Sequence, residues 1–143
     1  MCTALKAPAQ WAQDEFGLAQ LDDQHRNKRL VKIAEHLAAN PAGTLLQAFP
    51  DWAELKAAYR FFGQRGVSFE RIITPHLERT GQACRLPGVY LLIEDSTLLD
   101  YSHHPAIKDL GVISDGGGRG FELHSTLAVQ VSGWNQEHHP EGQ

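Results

Sequence analysis

Val89-Tyr90-Leu91-Leu92-Ile93-Glu94-Asp95-Ser96-Thr97 is the stretch whose reading decides the fold. Five apolar residues, rich in β-formers, run straight into two carboxylates and two hydroxyls, and Pro87-Gly88 punctuates the start. The run is too short for a helix. It reads as a strand buried on both faces, with acid at its C-terminal end. Alternation puts Val89, Leu91, Ile93 and Asp95 on one face, and Tyr90, Leu92 and Glu94 on the other. Ligands of α/β sheets gather at the carboxyl ends of strands. Asp95 is therefore the carboxylate best placed, at a sheet edge, to serve a divalent cation. From spacing alone, Asp95-Ser96-Thr97 is more simply an ordinary turn and cap, because such turns are common.

Upstream of Leu86-Pro87-Gly88 the period is helical. Residues 1–10 read as loosely ordered, and Trp11 to Phe16 as a short amphipathic piece closed by Gly17. Asp22-Asp23 offers a helix start, and the helix runs to Asn40-Pro41-Ala42-Gly43. Leu30, Ile33, Ala34 and Leu37 fall on one face, and His25, Lys28, Arg29 and Lys32 on another. The two face centres lie roughly 150° apart. One side is expected to be buried and the other to present a cationic stripe. Such a stripe is either a solvated helix face or a track for phosphates, with Gln24 and Asn27 as weak candidates for base edges. Asp51 starts the next helix, with Glu54 three residues on in a capping-box-like pair. Its inward positions are expected to be Leu55, Ala58, Tyr59 and Phe62, with Lys56 and Arg60 exposed and Gly63 and Gly66 closing it. Ser68 caps a third helix that turns Phe69, Ile72, Ile73 and Leu77 inward and is kinked or split at Pro75. Residues 11–82 thus read as an all-helical module.

Downstream, Leu98 to Asp109 reads as a polar loop with room for a short helix. Ile113 to Phe121 reads as a glycine-rich hairpin turn, and Phe121 to Val131 as a second strand with Leu123, Ser125, Leu127, Val129 and Val131 on one side. Gly116–Gly120 matches neither a Walker A loop nor a dinucleotide fingerprint, so a flexible hairpin is the simpler reading. His103-His104 and His138-His139 are poor chelators, because adjacent side chains point apart on an extended chain. His124 sits within a strand, opposite the apolar face. Trp134–Gln143 carries no recognisable element.

The chain has 143 residues, which fits one domain or one small domain plus part of another. An apolar fraction of 42% permits a real core. The net charge of −4 gives no global basic signal, so a nucleic-acid role must rest on a local patch. Cys2 and Cys84 match no zinc or redox spacing, which fits a reduced, cytoplasmic setting. No stretch approaches the ~20 apolar residues of a membrane span, and the N-terminus lacks a signal-peptide core.

Several blocks occur in an order that resembles one family. They are Trp11-Ala12, Phe16, Leu21-Asp22-Asp23, Arg26, Arg29-Leu30-Val31, Leu37-Ala38, Ala58-Tyr59-Arg60-Phe61-Phe62, Glu94-Asp95-Ser96-Thr97, Gly118-Arg119-Gly120-Phe121 and His124-Ser125. Together they resemble the N-terminal part of bacterial insertion-sequence transposases of the cut-and-paste DDE class, the branch that includes the transposase of Transposon Five. The resemblance covers about residues 11–131. It implies an α+β chain: a helical transposon-end DNA-binding domain over residues 1–85, then the first strands of a ribonuclease H-like α/β catalytic core over 86–143. It makes Asp95 the first catalytic, metal-binding Asp for Mg²⁺ or Mn²⁺, with Ser96 a mild departure from the family's usual Asp-Thr-Thr. With the basic helix faces, it gives His25, Arg26, Lys28, Arg29, Lys32, Lys56, Tyr59 and Arg60 as the expected DNA contacts.

The family's two-metal site needs a second Asp and a Glu far downstream, which this sequence does not reach. The expectation is a truncated or split copy that binds terminal inverted repeats, holds metal weakly or not at all, and does not cleave DNA alone. Its partners would be DNA and either intact transposase or a downstream-encoded fragment, with no membrane. The rivals are a non-catalytic end-binding inhibitor of intact transposase and an inert remnant.

Overall fold

The structure is a computed structural model, and it describes residues 6–114 and 116–131. The expectations for residues 1–5 and for Trp134–Gln143 lie outside the described residues. The chain separates into two compact units, Met1–Ala83 and Cys84–Gln143.

The first unit is helical. α1 (Pro8–Phe16) opens with proline at its first turn, where no backbone N–H is needed. It therefore begins inside the segment read as loosely ordered. α2 (Gln24–Ala39) is capped by Asp23, whose side chain accepts from His25 N at 2.8 Å, and it ends at Asn40. α3 (Leu45–Ala48) is a single turn held by a full capping box between Thr44 and Gln47. The sequence reading missed it, because one turn carries no periodicity. α4 (Trp52–Phe62) starts at Asp51, whose Oδ1 accepts from Glu54 N at 2.9 Å. α5 (Phe69–Ala83) follows Ser68, whose Oγ accepts from Arg71 N at 3.3 Å. The helix runs unbroken through Pro75, so of the expected kink or split the split does not occur. Proline removes only its own N–H from the ladder, and the Thr74 hydroxyl donates to the Glu70 carbonyl beside the gap.

The core joins Ala19, Leu21, Leu30, Ile33, Ala48, Phe49, Leu55, Ala58 and Phe61. Leu30, Ile33 and Ala34 are buried on the expected face of α2, whereas Leu37, expected with them near its C-terminal end, is exposed. On α4 the buried face is Leu55, Ala58 and Phe61, not Tyr59 and Phe62. Phe61 is 1% exposed and Tyr59 58%. The helical period allowed either face. Contact with α2 selects the one that carries Phe61. Phe69 and Leu77, expected inward, are exposed, and Ile72 and Ile73 are only half-buried. α5 packs against α1 at the flank of the unit, so its apolar stripe meets little to cover it.

Asp22 adopts a left-handed backbone with φ 61°. The Arg71 fork fixes it, with both guanidinium nitrogens 2.6 Å from its carboxylate oxygens. Arg71 also donates to the Gly66 carbonyl at 2.9 Å, tying the start of α2 to the loop before α5.

The second unit is a three-stranded antiparallel sheet in the order β1-β3-β2. β1 spans Val89–Asp100, β2 Gly111–Ile113 and β3 Gly118–Val131. Two expectations change. β1 continues through Leu98-Leu99-Asp100 instead of turning after Thr97, because β3 pairs with it along its whole length, from Val89↔Val131 to Asp100↔Gly120. β1 is also not buried: Leu91, Leu92 and Ile93 are more than half exposed, Leu92 at 64%. A three-stranded sheet is a single layer, and no described helix of this unit covers either face. The glycine-rich segment does make a hairpin, but Gly118 and Gly120 belong to β3. Ile113 packs on these two glycines, and a Cβ at Gly120 would collide with the Leu99 carbonyl oxygen.

Candidate nucleic-acid interface

The N-terminal half of α2 and the C-terminal half of α4 flank one groove in the helical unit. Asp23, His25, Arg26, Arg29, Ala57, Arg60, Phe61 and Gln64 line it. Helix period puts His25 and Arg29 four residues apart on one side of α2, and Ala57, Arg60 and Phe61 on the facing side of α4. Of the eight side chains expected to meet DNA, the groove brings together His25, Arg26, Arg29 and Arg60. Lys28, Lys32, Lys56 and Tyr59 are exposed outside its lining.

The groove cations are not equivalent. Arg26 donates to the Leu21 carbonyl at 3.3 Å, and its guanidinium packs on Gly66, so part of its work is structural. Arg29 Nη1 lies 2.6 Å from Glu54 Oε2, and Lys32 Nζ lies 2.7 Å from Glu54 Oε1. The hydrogen bond from Lys32, then the charge of Arg29, holds the Glu54 carboxyl below the usual carboxylate range. Glu54 therefore makes only half of a capping box: its backbone is capped by Asp51, while its side chain crosses to α2. Asn27, considered for base contact, has its Oδ1 accepting from Leu21 N at 3.2 Å and is spent on the entry to α2. Sequence reasoning missed Gln64 and Glu54. Gln64 sits in the stretch that ends α4, and the spacing of Glu54 from Asp51 points only to a cap. Only the pairing of α4 with α2 reveals its second role.

Chemically, a groove with guanidinium donors on both walls and an imidazole on the α2 wall suits an anion such as phosphate. Residues 8–67 match the family model described as Transposase DNA-binding. That stretch covers α1 to α4 and holds every residue of the groove. The match supports reading it as a transposase N-terminal region with a DNA-binding role.

In the sheet, Asp95 is the seventh residue of a twelve-residue strand, not its end, and lies opposite Ser125. Thr97 Oγ1 donates to Asp95 Oδ2 at 3.4 Å, and Ser125 Oγ donates to the Asp95 carbonyl at 3.4 Å. Glu94 occupies the other face, 3.9 Å from His124 Nε2, and His124 Nδ1 is 2.8 Å from Ser96 Oγ. Among the described residues no three His, Cys, Asp or Glu side chains converge to hold a metal ion. Asp95 offers a hard oxygen ligand, but the described residues around it do not complete a Mg²⁺ or Mn²⁺ site. No helix among the described residues is long and apolar enough to cross a membrane.

Proposed function

We propose that this chain is the N-terminal region of a cut-and-paste DDE transposase, and that its helical unit binds the terminal inverted repeats of the transposon. The observation that carries the reading is the α2–α4 groove. Its basic side chains, His25, Arg26, Arg29 and Arg60, all fall within the stretch that matches transposase DNA-binding regions. Phosphates along a duplex would engage Arg26 and Arg60 in the groove and Lys28 and Lys56 beside it. The net charge of −4 is no obstacle, because the positive field is local.

In the same reading the sheet is the start of a ribonuclease H-like core and Asp95 its first metal-binding carboxylate. Asp95 would help to hold Mg²⁺ or Mn²⁺, which would supply Lewis-acid stabilisation of charge in an in-line phosphoryl displacement. The roles assigned within this chain are narrower: Asp95 would lend one oxygen, and Thr97 would orient it.

Fluorescence anisotropy on a labelled duplex tests the DNA-binding reading. If about four phosphates are neutralised, log K falls with log salt at a slope near −3.6. Replacing Lys28 and Arg60 by Ala together should weaken binding and bring the slope to about −1.8. An unchanged slope and affinity in the double variant would refute this interface.

A further inference from the structure

Glu54 stands in the first turn of α4, with its side chain 23% exposed beside the groove. Its two carboxylate oxygens are divided between two α2 cations, Arg29 at 2.6 Å and Lys32 at 2.7 Å. A phosphate approaching either cation meets a carboxylate already within its hydrogen-bond shell. Like charges at that separation repel, and water at a half-open site screens them only in part. Lys28, by contrast, is exposed on the same helix and makes no ion pair among the described residues.

We infer that Glu54 is a specificity-determining residue of the DNA-binding face: it competes with phosphate for Arg29 and Lys32 and so holds down sequence-independent affinity. The inference rests on the DNA-binding reading above. Sequence-independent affinity comes almost wholly from phosphate neutralisation. An internal anion that occupies two cations therefore suppresses it directly, and leaves contacts elsewhere in the groove a larger share of the binding.

The test uses the full chain, a fluorescein-labelled duplex of mixed sequence and a salt titration. Glu54→Gln keeps the length of the side chain and removes its charge. It should bind more tightly, with a slope steeper by about 1.8, so that its advantage shrinks about twelvefold between about 50 and 200 mM salt. Adding Arg29→Met and Lys32→Met to that variant should abolish the gain. Equal or weaker binding by Glu54→Gln overturns the inference. So does a gain that survives the triple substitution, which would show that it does not act through Arg29 and Lys32. A second measurement does not depend on Glu54→Gln folding. In the native background, Lys32→Met should flatten the slope far less than Lys28→Ala, because Lys32 is already occupied. Equal flattening overturns the inference. A native protein that shows no salt-dependent duplex binding would defeat the DNA-binding reading itself. Native binding without a gain in Glu54→Gln would defeat only the role of Glu54.

Discussion

Phe61→Ala and Tyr59→Ala form a paired test of which face of α4 holds the helical unit together. Phe61 is 1% exposed and shares a core with Leu21, Leu30, Ile33, Leu55 and Ala58. It also meets Phe62 edge to face, with ring centroids 5.3 Å apart. Removing such a ring loses the transfer free energy of its buried carbons and leaves a cavity, which together cost about 3–5 kcal/mol. Tyr59 is 58% exposed, so its truncation should cost under about 1 kcal/mol. A unit of 83 residues at roughly 0.05–0.15 kcal/mol per residue has about 4–12 kcal/mol of stability. Phe61→Ala therefore removes much of it, while Tyr59→Ala is barely felt. The assay is urea unfolding followed by circular dichroism at the helical band, which reports this unit because the other described unit is sheet. The expected result is a much lower midpoint for Phe61→Ala with a similar slope. A larger loss for Tyr59→Ala than for Phe61→Ala would refute the packing of α4 on α2 described above.

Two further outcomes follow from particular contacts. The Arg71 hydrogen bonds hold the Asp22 carboxyl below its usual range. Its stabilising effect is therefore present above the unfolded-state value near pH 4 and is lost as pH falls through the lower folded-state value. Asn tolerates the left-handed backbone at this position, so Asp22→Asn should melt below the native protein near neutral pH. The gap should close below about pH 4, and a gap that stays constant into strong acid would contradict the pairing. Gly120→Ala sets a Cβ against the Leu99 carbonyl oxygen and should break the β1–β3 ladder near Asp100. Amide exchange should rise in 97–100 and 118–123 while α1 to α4 stay protected; unchanged exchange in the strands would count against the register.

Local chemistry was legible from the residues. Asp23, Asp51 and Ser68 cap their helices because a cap acts over two or three residues, and those neighbours are in the sequence itself. The inward face of α2 was legible for a similar reason: Leu30, Ile33 and Ala34 have a polar face to oppose them. The change from helical to alternating period at Pro87-Gly88 separated helices from strands. The cationic residues of α2 and α4 were also identified, because charge at helical spacing is visible in one dimension.

Tertiary structure decided the rest, because partners distant in sequence had to be brought together. Period alone left α4 free to bury Tyr59 or Phe61, and packing against α2 chose Phe61. Glu54 looked like a cap until α4 lay beside α2 and its side chain reached Arg29 and Lys32, 25 and 22 residues away. The apolar run Val89–Ile93 promised a buried strand, since five apolar residues prefer to leave water. Burial, however, needs a covering layer, and the three described strands form only one. Residue type set what each segment favoured. Contact between segments set which side chains are available to meet DNA.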